Sequence, residues 1–338
     1  MNKSKQVKRV LALLFLFILL LAMLLLAFLA WKIEQIPREH IDRNALEQVS
    51  VPGHFTNIAI FGLDTRPGDE LGTRTDTIMI ASINNRSGEM RLVSVFRDTL
   101  MLQLDGSYDK ASHAYAFGGP GEAVAMLNRN LDLDIEFYVA VNFASMAAIV
   151  DILGGVEIEL DREEIFWTNG LSYFTAEDIG GQVPPKIDEN QPGVHTLNGI
   201  QAVTFSRIRF TEGDDFRRTE RQREVFHQIF HGMTRATPMQ LLRMQQEVFP
   251  EMLTNMPTGQ ILLQGLNLIR MNLGEMTGYP FDVITGSIPG SSASYVIPVN
   301  TTENVRQLHL VLFDNRNFIP SLRLQEISSG ISNLTGVW

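Results

Sequence analysis

The chain of 338 residues contains no cysteine, which excludes disulfide bonds, cysteine-ligated metal centres and a thiol nucleophile. Basic residues are scarce as well, because 28 lysines and arginines stand against 38 acidic residues, for a formal net charge of −10. Nucleic acids are bound largely by neutralising their phosphates, so this balance argues against a nucleic-acid partner. The sequence also has no P-loop, no G-x-S-x-G nucleophile motif and no H-E-x-x-H zinc motif. The hydrophobic fraction of 45% predicts a folded globular protein.

One long apolar segment stands near the N-terminus, directly after four basic residues in positions 3–9. It runs from Val10 to Trp31 without a charge and would be about 33 Å long as a helix, enough to cross a bilayer. A cleaved signal peptide is the alternative, but its apolar region is normally only about 7–15 residues long. The segment therefore predicts a retained transmembrane helix over residues 10–31, with residues 1–9 in the cytoplasm and the rest of the chain outside it.

The remainder of the chain divides simply. Residues 32–52 are polar and contain two prolines, which predicts a juxtamembrane stalk. No internal repeat, low-complexity tract or long linker interrupts the sequence after the stalk. We therefore predict one folded domain over residues 53–315 and a C-terminal tail over residues 316–338.

Short strands and helices alternate along this domain, and two neighbouring strands read as a hairpin, so the sequence predicts a single α/β domain with a mixed sheet and helices on both faces. The run Asn57 to Leu63 is apolar on both sides, as expected of a strand inside a sheet. Further strands are predicted over residues 77–83, 90–95, 137–141 and 156–160, helices over residues 121–131 and 143–153, and a helical pattern over residues 233–276.

Acidic side chains stand where strands begin or end. Asp64 follows the buried strand at a position where open α/β sheets bind ligands. Asp76 enters the next strand two residues after Arg74. Two carboxylates that converge would suit Mg²⁺. The alternatives remain a turn cap for Asp64 and a local ion pair for Asp76.

Arginines dominate two other segments. Arg97 follows the strand 90–95, where it could also pair merely with Asp98. Residues 205–223 carry Arg207 and Arg209, predicted on one face of a short strand, and then Arg218, Arg221 and Gln222, predicted on one helix face. A solvated charged face is the ordinary alternative, but converging like charges are costly unless an anion lies among them. Together the acidic and basic segments predict a pocket that binds a diphosphate through Mg²⁺ and arginines.

In these segments the chain resembles the LytR-CpsA-Psr family of bacterial cell-envelope proteins. The resemblance covers nearly the whole chain and runs through the blocks GLDTR, RTDT, SVFRDT, AYAFGG, VNFASMAAIVDILGGVEIEL, LNGIQAVTFSRIR and DFRRTERQ. It implies a single-pass protein of the bacterial plasma membrane whose domain lies outside the cytoplasm. It also implies a transferase that moves a glycopolymer, such as a teichoic acid or a capsular polysaccharide, from undecaprenyl pyrophosphate to a peptidoglycan hydroxyl.

By the same resemblance, Asp64 and Asp76 would hold Mg²⁺ or Mn²⁺, and Asp215 and Arg97 would be catalytic, with Asp215 activating the acceptor hydroxyl. The pyrophosphate would be bound by Arg74, Arg97, Arg207, Arg209, Arg218 and Gln222. The sequence departs from the family pattern in having Phe96 where a proline is usual and Thr75 where a serine is common.

Two other functions use the same pocket. A hydrolase of lipid pyrophosphates would need the same metal and arginines but would use water as the nucleophile. A non-catalytic protein that binds polyprenyl phosphates would need the pocket alone. A transferase is the function that the resemblance favours, with a phosphoryl transfer in which undecaprenyl phosphate leaves.

Overall fold

The computed structural model describes residues 30–39, 41–65, 75–211, 213–268 and 270–338, together with residues 20, 23 and 27. The predicted transmembrane segment, residues 10–31, lies almost entirely outside these residues. In the part of the chain that is described, no helix is both long enough and apolar enough to span a bilayer.

The centre of the domain is a six-stranded sheet in the order β10-β3-β2-β1-β6-β9. Strands β10, β3, β1 and β6 run parallel to one another, while β2 and β9 run antiparallel to them. This mixed sheet confirms the predicted α/β class. The strands are β1 Phe55–Leu63, β2 Thr75–Asn84, β3 Glu89–Val95, β4 Leu100–Leu102, β5 Tyr108–Lys110, β6 Phe137–Asn142, β7 Val156–Leu160, β8 Gly193–Leu197, β9 Leu253–Thr254, β10 Asn272–Tyr279, β11 Val283–Gly286 and β12 Tyr295–Pro298.

Helices pack on both faces of this sheet. Successive side chains of a strand point to opposite sides, so the apolar central strands present an apolar surface on each face. The helices are α1 Ala111–Leu131, α2 Phe143–Leu153, α3 Arg162–Ile179, α4 Gly199–Arg207, α5 Asp214–Thr234, α6 Pro238–Glu247, α7 Thr258–Leu268, α8 Thr301–Phe313 and α9 Leu322–Thr335. On one face, Phe61 of β1 shares a buried cluster with residues of α1 and α8. On the other, Ile58 of β1 packs with Phe230 of α5 and with residues of α7.

Local signals set the limits of several helices. The Asn142 side chain caps α2 by accepting a hydrogen bond from the Ser145 amide at 2.8 Å, and Gly154, with φ of +96°, ends the helix. The observed limits of α2 and of β7 match the predicted ranges 143–153 and 156–160. Helix α1 starts ten residues before the predicted 121, although its helical geometry is broken at Gly119, where φ is +72°.

Two predicted elements are wrong. Arg207 and Arg209 do not share a strand, because Arg207 is the last residue of α4 and Arg209 follows it in a loop. The helix forms because Asn198 and Gln201 make a capping box at its start. The predicted helical stretch 233–276 is also interrupted, since its last part belongs to β10, which pairs with β3.

Segments on either side of the predicted domain contribute to its core. Leu46, within the predicted stalk, is buried in the main hydrophobic cluster. Residues 316–338 include α9, whose Leu324 lies in that same cluster. Ile327 of α9 is buried in a second cluster with Leu100 and Tyr295.

Candidate functional site

The charged residues gather at one edge of the sheet. Strands β1 and β3 end at this edge, and β2, which is antiparallel to both, begins there. Asp64 follows β1, Arg97 follows β3, and Asp76 is the second residue of β2. Gly62 pairs with Thr77 and Leu63 with Thr75, so Asp76 is the extra residue of a β-bulge. A bulge re-aims the side chain of its extra residue, and here that side chain meets the arginines.

Asp76 is held by residues from three distant segments. Arg97 donates from Nη1 to its Oδ1 at 2.6 Å, and Arg209 donates from Nη2 to its Oδ2 at 3.1 Å. Gln222 of α5 donates from Nε2 to the Asp76 carbonyl at 3.4 Å. The structure therefore brings four of the predicted site residues into one cluster.

Asp215 is the second carboxylate of this cluster. It lies in the first turn of α5, where the positive end of the helix favours a negative charge. Its Oδ1 is 3.3 Å from Arg218 Nη1 and 3.8 Å from Arg209 Nε, and its Oδ2 is 3.6 Å from Arg97 Nε. Three guanidinium groups thus surround the residue predicted to activate the acceptor.

The mutual proximity of these groups shifts their pKa values. Burial acts to raise the pKa of Asp76 and of Asp215, but nearby arginines, with Arg218 the strongest, outweigh it and lower the pKa of both carboxyls. Burial acts to lower the pKa of Arg97, but the carboxylates of Asp76 and Asp215 outweigh it and raise that pKa. All three groups are therefore charged at neutral pH.

Arg218 differs from Arg97 in that its pKa is lowered. Its side chain is almost fully buried, and burial, reinforced by the neighbouring Arg97, lowers its pKa to about 10. Within the described residues, Nε and Nη1 of Arg218 and Nε of Arg97 have no hydrogen-bond partner. Buried donors normally have an acceptor, so these nitrogens have hydrogen-bonding capacity that the neighbouring carboxylates leave unused.

Arg207 lies beside this cluster with partners of its own. Its Nη1 donates to Asp178 at 3.0 Å, and its Nη2 is 3.8 Å from Asp64 Oδ1. Its guanidinium lies over the ring of Phe143, 4.6 Å from the centroid. Arg207 and Asp64 therefore form a second pair at the same edge of the sheet. Arg74, the remaining predicted ligand of the pyrophosphate, lies outside the described residues.

The two predicted metal ligands lie at the same edge of the sheet. Asp64 directly follows β1, and Asp76 is the extra residue of the bulge in β2, with both carboxylate oxygens accepting from arginines. In the described part of the chain, no group of three or more acidic or histidine side chains is placed to hold a metal ion. Mg²⁺ is commonly bound by only one or two carboxylates, with waters and phosphate oxygens as its other ligands. The donor set suits that kind of site.

Some residues of the cluster were not predicted from the sequence. Lys110 of β5 lies 3.0 Å from Asp98 Oδ1, and Asp98 Oδ2 lies 3.8 Å from Arg97 Nε. Asp98 therefore approaches the same nitrogen, Arg97 Nε, that lies 3.6 Å from Asp215 Oδ2. The motif SVFRDT placed Asp98 beside Arg97, but only the fold shows that Asp98 also contacts Lys110. Asp178 of α3 carried no sequence signal, because α3 itself was not predicted.

Fold and site together define the protein as a mixed α/β protein with a cluster of arginines and carboxylates at the edge of its sheet. The family model described as the LytR_cpsA_psr family matches residues 31–297. The chain therefore belongs to the LytR-CpsA-Psr family, as its motifs predicted.

Relatives and solved structures agree with this family. The chain is 33% identical over 198 residues to the polyisoprenyl-teichoic acid–peptidoglycan teichoic acid transferase TagU of Bacillus cereus, an alignment that covers 58% of each protein. The TagU of Enterococcus faecalis is 29% identical over 268 residues, with 76% of this chain and 80% of that protein covered. The fold also resembles YwtF (TagT) with bound octaprenyl pyrophosphate lipid, with a TM-score of 0.53, 18% identity and coverage of 86% and 95% of the two chains.

Proposed function

We propose that the protein is a glycopolymer phosphotransferase, anchored in the bacterial plasma membrane with its domain outside the cytoplasm. Its donor is a teichoic acid, capsular polysaccharide or related polymer on undecaprenyl pyrophosphate, and its acceptor is a peptidoglycan hydroxyl. One observation carries this proposal. Arg97, Arg209 and Arg218 converge on two carboxylates, yet three buried nitrogens of Arg97 and Arg218 make no hydrogen bond within the described residues. A diphosphate supplies the oxygens that these donors require.

The comparisons support the same donor class. The relatives carry the name of teichoic acid transferases that use a polyisoprenyl carrier and peptidoglycan. The structural neighbour contains a prenyl pyrophosphate. Both descriptions match a site whose clustered guanidinium groups suit phosphoanhydride oxygens.

The reaction we propose is a phosphoryl transfer. The acceptor hydroxyl oxygen attacks the phosphorus nearest the glycan, and a new phosphoester bond forms. The anhydride bond to the other phosphate breaks, so that undecaprenyl phosphate leaves with the bonding electrons. Arg97 and Arg218 stabilise the negative charge on the phosphoryl and leaving oxygens, which is the main contribution a protein makes to such reactions.

Asp215 receives the hydroxyl proton in this mechanism. Its lowered pKa keeps it ionised at neutral pH, although the arginines that lower the pKa also make it a weak base. A weak base suffices because phosphoryl transfer depends mainly on positioning and charge stabilisation. The ion pairs of Asp215 with Arg97 and Arg218 hold it beside the donors that bind the phosphates.

Asp64 and Asp76 would hold Mg²⁺ or Mn²⁺ in this site. Such an ion, when bound, neutralises charge on phosphate oxygens. The protein's own part is to keep both carboxylates ionised, which the surrounding arginines do for Asp76. The pair Arg207–Asp64 places a further cation at the same edge.

One assay distinguishes the three functions that the pocket allows. The full chain is incubated with a lipid-linked glycopolymer, Mg²⁺ and peptidoglycan. Polymer joined to peptidoglycan supports the transferase, polymer released into solution indicates a hydrolase, and unchanged lipid indicates a binding protein. The Arg97→Ala variant should lose transfer by about 100-fold or more, because one anion-stabilising donor is removed. Transfer at the wild-type rate in that variant would contradict the site.

A further inference from the structure

A strip of five exposed residues runs along α3, outside the site described above. It consists of Glu163, Phe166, Gly170, Tyr173 and Glu177, which recur every three or four residues and so share one helix face. We infer that this α3 strip binds an extended neutral glycan, namely the acceptor strand of the reaction. The inference rests on the proposed function and adds to it the place where the acceptor lies.

The two aromatic side chains of the strip are presented to solvent at a regular spacing. Phe166 is 54% exposed and Tyr173 is 57% exposed. Because they are seven residues apart, they lie about 10 Å from one another along the helix axis. That spacing is close to the length of one disaccharide unit of an extended glycan. The faces of β-linked pyranose rings present C–H groups, which pack well on the negative face of an aromatic ring.

A glycine lies between these two aromatic residues without a structural reason. Gly170 is inside α3, where glycine destabilises a helix by roughly 0.5–1 kcal/mol relative to alanine. A Cβ built at this position meets no atom within 4 Å, so packing does not require a glycine. The missing side chain leaves the helix surface open between Phe166 and Tyr173.

The α3 strip lies close to the proposed diphosphate site. Asp178, the residue after the last member of the strip, binds Arg207 at 3.0 Å. Trp167, next to Phe166, stacks on Phe210 with centroids 4.7 Å apart and an angle of 28° between the rings. Phe210 directly follows Arg209 in the chain. A glycan on the strip therefore lies alongside the segment that carries Arg207 and Arg209.

The charge of α3 selects a neutral glycan. The strip has a glutamate at each end, and the whole helix carries one arginine, Arg162, against four carboxylates, of which Glu164 and Asp178 pair with arginines of other segments. A polymer of phosphodiesters and an anionic membrane surface would both be repelled by the two glutamates of the strip. Neutral sugar rings meet no such cost, and their hydroxyls can donate to the glutamates.

The test measures binding of a β-1,4-linked N-acetylglucosamine hexamer to the full chain by titration calorimetry. The double variant Phe166→Ala/Tyr173→Ala should weaken binding about tenfold or more, because it removes both aromatic contacts. Gly170→Gln should cover the open surface between the two aromatic residues and weaken binding severalfold, while raising the Tm by roughly 1–3 °C through better helix propensity. The matched control is Gly265→Gln in α7, where a Cβ also meets no atom within 4 Å. It should raise the Tm in the same way and leave binding unchanged.

Several results would overturn the inference. These are no binding of the hexamer by the wild type, equal binding by the aromatic double variant, and binding by the strip to anionic phosphatidylglycerol vesicles instead of the hexamer. Pyrophosphate binding, measured in parallel, separates this inference from the proposed function. If the wild type binds the hexamer but not pyrophosphate, the proposed function alone is refuted. If it binds pyrophosphate but not the hexamer, the inference about the α3 strip alone is refuted.

Discussion

Arg218 and Arg221 lie one turn apart on α5, and each is 1% exposed, yet their surroundings are opposite. Arg221 donates from Nε to Glu164 at 3.0 Å, from Nη1 to the Ile208 carbonyl at 3.2 Å and from Nη2 to Thr211 at 2.7 Å. Arg218 has an ion pair with Asp215, but its Nε and Nη1 make no hydrogen bond in the described part of the chain. Burial of a charge therefore does not by itself identify a site. What distinguishes Arg218 is that its donors without hydrogen bonds lie in the same cluster as that of Arg97.

The largest effect should come from breaking the fully satisfied pair. Arg221→Met leaves the buried Glu164 with only the partly exposed Arg217, at 3.3 Å, as its cation. Removing one partner of a buried pair costs about 3–5 kcal/mol of unfolding free energy. Urea unfolding measures this loss. The double variant Glu164→Met/Arg221→Met is the control and should regain much of the stability. A loss below about 1 kcal/mol in the single variant would show that Arg221 has no structural role.

The matching change at Arg218 should affect function instead. Arg218→Met removes a donor proposed to stabilise the transferring phosphate and should lower the transfer rate about 100- to 1,000-fold. This substitution should cost far less unfolding free energy than Arg221→Met, because Nε and Nη1 of Arg218 make no hydrogen bonds that it could remove. Transfer assays and urea unfolding on the same preparation give both numbers. If Arg218→Met kept the wild-type transfer rate but lost as much stability as Arg221→Met, Arg218 would be the structural residue and the prediction would be wrong.

The difference between these two arginines was not visible in the sequence. The spacing of the two arginines predicted a common helix face, which is nearly correct. The sequence did not show which of them has a buried partner, because Glu164 lies 57 positions from Arg221 on a helix that was not predicted. The capping box of Asp161 and Glu164 was the available signal for that helix.

Elements with strong local signals were predicted well, while elements fixed by tertiary contacts were not. The run 57–63 was recognised as a central strand because it is apolar on both faces, and Gly154 marked the end of α2. Strand β10 was read as part of a helical stretch, because its pairing with β3 is a long-range contact that no local pattern records. For the same reason, the motifs identified Asp76 and Arg97 singly, and only the fold shows the bulge that joins them.

The response to acid should distinguish the two arginine variants further. Asp76 and Asp215 have pKa values below their ordinary 3.8, so the stability they contribute is present at neutral pH and is lost as the pH falls through their lowered values. Arg218 is the strongest of the cations that lower both pKa values. In Arg218→Met these pKa values should lie closer to 3.8, so the loss of stability on acidification should be smaller than in the wild type and should end at a higher pH. Tm measured between pH 3 and 7 checks this, with Arg221→Met expected to follow the wild-type pH dependence.

The smallest effect should come from the contact that positions α5 against β3. The ring of Phe96 meets that of Phe216 edge-on, with centroids 4.6 Å apart. Phe96→Leu should cost about 0.5–1.5 kcal/mol of unfolding free energy, the usual contribution of an aromatic pair. Its transfer rate should fall less than tenfold, because the bond between Arg97 and Asp76 remains. Phe96→Pro also removes the hydrogen bond from the Phe96 amide to the Tyr279 carbonyl at 3.0 Å, so it should cost more than Phe96→Leu.

The most direct test of the central claim is the thermal stabilisation of the full chain by inorganic pyrophosphate. A ligand that binds only the folded state raises the Tm as its concentration increases. We predict a rising Tm for the wild type and for Phe96→Leu, and no rise for Arg218→Met at the same concentrations. Equal stabilisation of the wild type and Arg218→Met, or none in either, would contradict the claim that the unsatisfied buried arginine donors bind a diphosphate.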